Sequence, residues 1–184
     1  VSVLELPGSG TSAASIASML TTAGLQSDIC TPKSIGDVDT MVVPFIGIND
    51  QALVSTIMVH LLGLLKTLAA STVESGLDLA KLVVLTSGCD GPALSRSISF
   101  GGGSLWGLMR SARAELPGRF TIHSLDTDAS FAQDGAELAL QLRQELLSGD
   151  GHTEVAYRGG TRHCRKLKPS TQHIIGPASL RIDK

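Results

Sequence analysis

Aromatic side chains are scarce in this chain: Trp106, Tyr157 and four phenylalanines make up 3% of 184 residues. A single tyrosine confines any tyrosine-dependent proton transfer to one position. Cysteine is scarce as well. Cys30, Cys89 and Cys164 are odd in number and far apart, which excludes a framework of paired bridges and a CxxC metal knuckle, and fits a reducing, cytoplasmic compartment. Positive charge is not in excess: 15 Lys and Arg face 17 Asp and Glu, for a formal net charge of −2. No long-range positive field is present to hold a nucleic-acid backbone. Long apolar runs are missing too. The most apolar stretch, Leu61 to Leu68, is interrupted by Gly63 and Lys66 and falls short of the roughly 20 residues that cross a bilayer, so no membrane span is expected. The chain opens at Val1 without a basic-then-apolar signal segment, and we expect it to be part of something larger.

The 42% of hydrophobic residues suffices for one buried core. Strand patterns at Val1–Leu6, Leu25–Cys30, Met41–Ile46, Lys81–Leu85 and Phe120–Leu125 alternate with helical periodicity. The helical segments are Thr11–Ala23, Gln51–Thr72, Ser95–Leu116 and Phe131–Leu147, the third softened near its middle by Gly101-Gly102-Gly103. Glu154–Tyr157 and Arg162–Leu167 read as a hairpin across Gly159-Gly160. The alternation predicts an α/β, Rossmann-like three-layer fold with a mostly parallel sheet of five to seven strands, spanning residues 1–169, with 170–184 as a linker.

Gly8-Ser-Gly-Thr-Ser-Ala13 follows the first strand as G-x-G-x-x-A, a loop that can bring backbone close to a pyrophosphate. The only nearby ribose reader, Asp28, precedes Ile29 and Cys30 instead of ending its strand. The reading we favour for the loop is a tight turn in which Ser or Thr caps the helix. A short-chain reductase needs a tyrosine with a lysine four residues later to lower its pKa. Four places after Tyr157 stands Thr161, in the expected hairpin turn. Ser87, at the end of a central strand, has no tyrosine to act with. Of the five histidines, none forms an i, i+4 helical metal pair; His60 is expected on an apolar helix side, His152 in a solvated turn. His163 and Cys164, adjacent on a strand, point to opposite faces. Arg158, Arg162, His163, Arg165, Lys166 and Lys168 form the one local charge excess, read as a protected edge strand or as a docking surface for an acidic partner.

The segment Gly103-Ser-Leu-Trp-Gly-Leu-Met-Arg-Ser-Ala-Arg-Ala-Glu-Leu-Pro-Gly118, followed by Arg119-Phe-Thr-Ile-His-Ser-Leu-Asp126, resembles the ketoreductase structural subdomain of type I polyketide synthases and related fatty-acid synthases. Leu61–Lys66, Lys81–Ser87 and Glu154–Gly160 agree with it in order. The resemblance implies a truncated, short-chain-dehydrogenase-like half that binds no cofactor, carries no catalytic residue, and supports a catalytic ketoreductase with neighbouring enoylreductase or methyltransferase domains. On that reading Trp106 and Leu108 anchor the long helix, and Arg110 and Glu115 fix charges between it and another domain. The alternatives are a small NADPH-type nucleotide-binding enzyme using Gly8–Ala13, and an acyl-carrier-protein docking module using Arg158–Lys168.

Overall fold

A computed structural model describes residues 1–6, 13–31, 39–46, 51–74, 80–89, 100–116, 118, 120–128 and 135–166. In chain order the elements are β1 (Ser2–Leu4), α1 (Ala13–Thr22), β2 (Asp28–Cys30), β3 (Thr40–Phe45), α2 (Gln51–Glu74) and β4 (Lys81–Ser87). There follow α3 (Phe100–Glu115), β5 (Thr121–Thr127), α4 (Gly135–Leu147), β6 (Glu154–Arg158) and β7 (Thr161–Cys164). The sheet runs β2-β1-β3-β4-β5-β6-β7, parallel from β2 to β6, with β7 returning antiparallel. Gly159 and Gly160, at φ 54 and 73, supply the two left-handed positions of the expected hairpin turn, and Thr161 opens β7 just beyond it.

Alternation along the central strands divides the core in two. Leu82 and Val84 face α2 and α3 with Met41, Val43, Ile57, Leu61, Leu68, Met109 and Ile122. Val83 and Leu85 face the other way, against α1 and α4, with Ile16, Leu20, Leu125, Leu138, Leu142 and Val155. A strand apolar at every position is what burial on both faces demands. The strand order reverses between β1 and β3, which puts the crevice of a doubly wound sheet at their C-terminal ends. The loop Gly8–Ser12 and residues 47–50 beside that crevice lie outside the described residues, as do 167–184 and therefore the expected linker.

Two readings, on His60 and on the apolar helix, need correction. His60 is exposed, because the buried stripe of α2 runs through Ile57, Leu61, Leu64, Leu65 and Leu68 and leaves it on the far side. The run Gly101-Gly102-Gly103 falls in the first described turn of α3, and residues 95–99 of the expected helix lie outside the described residues; a Cβ on Gly102 would lie 1.6 Å from the Cys89 sulfur. Ala52–Ala70 is long and apolar enough to cross a membrane on length and composition, contrary to expectation. Its buried stripe packs on the sheet, as core helices of the same composition do.

Candidate functional site

In open parallel sheets chemistry gathers at the C-terminal strand ends. The three central strands end here in Thr86-Ser87, Asp126-Thr127 and Tyr157-Arg158. On the α3 side of the sheet, Asp126 is fully buried. Its carboxylate accepts the Thr86 hydroxyl at 2.6 Å and the Cys89 N–H at 3.0 and 3.1 Å, and pairs with Nη2 of buried Arg158. Trp106, 3% exposed, donates its indole N–H to Thr86 Oγ1 at 3.0 Å. One chain of bonds thus ties α3 to β4, β5 and β6.

A second cluster lies further toward the N-terminal ends of the same strands. Arg110 grips Glu154 with two bonds of 2.8 Å, and Arg113 adds a third at 2.7 Å while donating to Ile122 O and Ser124 Oγ. Burial alone would raise the Glu154 pKa; the two guanidiniums outweigh it and hold the carboxyl below its usual range. Arg110 also sits 5.8 Å over the Trp106 ring. Arg110 was expected to reach toward another domain; it spends its fork on Glu154 in this chain. Glu115 is exposed and forms no ion pair with a described residue.

The α4 side carries a third cluster. Tyr157, buried in β6, donates its hydroxyl to Glu145 at 2.8 Å, and Arg162 binds the same carboxylate through Nε and Nη2. Burial and the Glu145 charge drive the tyrosine pKa far up, the reverse of what a proton-donating reductase tyrosine needs. The helix following Ser87, α3, contains neither tyrosine nor lysine. Lys81 Nζ lies within 3.4 Å of the carbonyls of Glu145, Leu146 and Ser148, closing the C-terminal end of α4 where a cation is favoured.

His123 lies on β5, whose alternation puts it on the α4 side of the sheet with Leu125. Burial, then Lys81 and Arg113, push its imidazole down to about 4, against the weaker pull of Glu145 and Asp150. A folded-state pKa below the unfolded 6.5 means the unfolded chain takes up the proton first as pH falls. Its contribution to stability is therefore complete above pH about 6.5 and lost toward pH about 4. In urea melts, His123→Gln will flatten the stability slope between those values; an unchanged slope would contradict this placement.

The basic cluster needs correction. Arg158 is buried on Asp126, Arg162 is shared by Glu145 and Asp150, and Arg165 lies 3.7 Å from Glu154. These charges are neutralised within the chain, because the hairpin folds its arginines against carboxylates from α4, β5 and β6. Lys166 of the same group is exposed, and Lys168 lies outside the described residues. As for a ribose reader, Asp28 opens β2 and accepts the Ser2 hydroxyl at 2.9 Å, while buried Cys30 closes the strand.

Fold and strand-end chemistry define a Rossmann-type α/β domain whose central polar groups serve one another. A family model described as the Rossmann fold domain of the polyketide synthase extender module SpnB matches residues 5–167. The chain belongs to that family of polyketide synthase Rossmann-fold domains. It is also 35% identical over 100 residues to Pks1 of Mycobacterium tuberculosis, a phenolphthiocerol synthesis polyketide synthase type I whose name marks it as a candidate inactive enzyme. Pks15/1 of Mycobacterium bovis, a phenolphthiocerol synthesis polyketide synthase type I, is equally similar. Those matches cover 54% of this chain but only 5% and 4% of the two synthases.

Proposed function

We propose that this domain is a non-catalytic scaffold of a multidomain polyketide synthase, which stabilises and positions a catalytic ketoreductase subdomain and the reductive or methyltransferase domains beside it. The observation that carries the reading is the closed bonding at the strand ends. Thr86, Asp126, Arg158 and Trp106 bind each other, and Tyr157 is bound to Glu145, so none of them is poised toward a substrate. An apolar surface for a neighbour is present on α2. Val59 and Leu62, three residues apart, are 69% and 43% exposed on a helix whose other face packs on the sheet. The α2 side would receive the catalytic subdomain.

Mixing the chain with the catalytic ketoreductase subdomain of the same synthase tests this. Val59→Glu with Leu62→Lys will weaken association by about tenfold or more, while the chain's own melting temperature hardly changes because both side chains are exposed. Unchanged association would remove the assignment of this face, and an absence of any association would remove the scaffold reading.

A further inference from the structure

Asp150, His152 and Cys164 offer a carboxylate oxygen, an imidazole nitrogen and a thiol sulfur that all lie within 4.8 Å of one another. None of the three takes part in the strand-end network or the Glu154 clamp. The turn before β6 supplies two of them: the Asp150 carboxylate accepts the His152 N–H at 3.0 Å, and Gly151 between them holds φ 75. Strand β7 supplies the third, on the α4 face of the sheet that it shares with Arg162 two residues earlier.

A positive group already stands at the convergence. Arg162 Nη1 lies 2.8 Å from Asp150 Oδ2 and 2.9 Å from Cys164 Sγ. The same planar guanidinium is fixed on Glu145 through Nε and Nη2, so the two Nη1 contacts are released by the Asp150 and Cys164 side chains turning away from it, with its hold on Glu145 kept. The Asp150 and Glu145 carboxylates thus share the one guanidinium of Arg162. A divalent cation would neutralise the surplus.

We propose that Asp150, His152 and Cys164 bind one thiophilic divalent cation of the zinc type, with solvent in the fourth position. The donor set selects the class: sulfur and imidazole nitrogen suit zinc-like ions, whereas magnesium and calcium require oxygen ligands. Tetrahedral zinc needs ligand separations of roughly 3.3–3.8 Å, so the widest pair must close by about 1 Å. Exposed Asp150 and half-buried His152 and Cys164 can do that by rotamer change. Cys164 binds as the thiolate and gives its proton to solvent.

Titration of the 184-residue chain with zinc alone by calorimetry, and with cobalt(II) followed by visible absorption, tests the site. One equivalent is expected to bind, with a thiolate-to-cobalt charge-transfer band. Cys164→Ser abolishes that band, and His152→Ala weakens zinc by about tenfold or more. His152 is half-buried in a turn, so its variant keeps the test alive if Cys164→Ser fails to fold. Absence of saturable binding overturns the proposal, as does equal binding by wild type and His152→Ala. A cobalt complex whose thiolate band survives Cys164→Ser also overturns it, since buried Cys30 or Cys89 would then be the ligand.

Discussion

Asp126→Ala will lower the unfolding free energy by about 3–5 kcal/mol, a large share of the roughly 5–15 kcal/mol that holds a domain of this kind folded. The carboxylate is fully buried, and it pairs with Arg158, which is itself buried. Removing it strands a guanidinium in the interior and takes an acceptor from Thr86 and from the Cys89 N–H. Breaking one half of a buried pair costs more than the pair contributes, because the surviving charge keeps its desolvation penalty. Replacing both partners, as in Asp126→Leu with Arg158→Met, will recover most of the loss. Urea denaturation of the single and double variants is the check. A single variant within about 1 kcal/mol of wild type would show that Asp126 is not the keystone of the strand ends.

Trp106→Ala is expected to cost about 3–5 kcal/mol, since it empties a buried aromatic site and orphans a hydrogen bond. Trp106 reaches from α3 to a polar atom near the C-terminal end of β4. Trp106→Phe keeps most of the volume and loses the indole N–H, so its cost should fall to about 1 kcal/mol. The contrast separates packing from hydrogen bonding. Equal losses in the two variants would mean that the Thr86 contact, not the bulk of the ring, dominates.

The strands and helices were legible because their apolar spacing is set by the two-sided burial of a parallel sheet. Val83 and Val84 face opposite core clusters, and a continuous apolar run is the one pattern that allows this. The hairpin was legible from Gly159-Gly160, since two adjacent glycines match a turn that needs two left-handed residues. Trp106 was singled out and is buried as an anchor should be. Its tie to Thr86 was not legible, because a hydrogen bond between residues 20 apart depends on how the helix lies across the sheet.

The arginines show the same limit more sharply. In sequence, Arg158 to Lys168 is a basic run, and only the fold reveals that Asp126, Glu145, Asp150 and Glu154 neutralise its arginines. Arg110 is a surface charge on a helical wheel until β6 brings Glu154 beneath it. One signal did stand in the sequence: Asp126 ends an apolar strand, and a carboxylate there needs a buried partner or a ligand. The convergence of Asp150, His152 and Cys164 had no such signal, because it joins a turn to the far strand of a hairpin.

Under the proposed scaffold role, the domain keeps the Rossmann architecture without its cofactor chemistry. Calorimetric titration of the chain with NADPH at concentrations on the order of a millimolar tests this most directly. The account predicts no heat of binding beyond dilution. Saturable binding with a Kd on the order of micromolar, abolished by Gly10→Val, would contradict it and return the Gly8–Ala13 loop to a nucleotide-binding role.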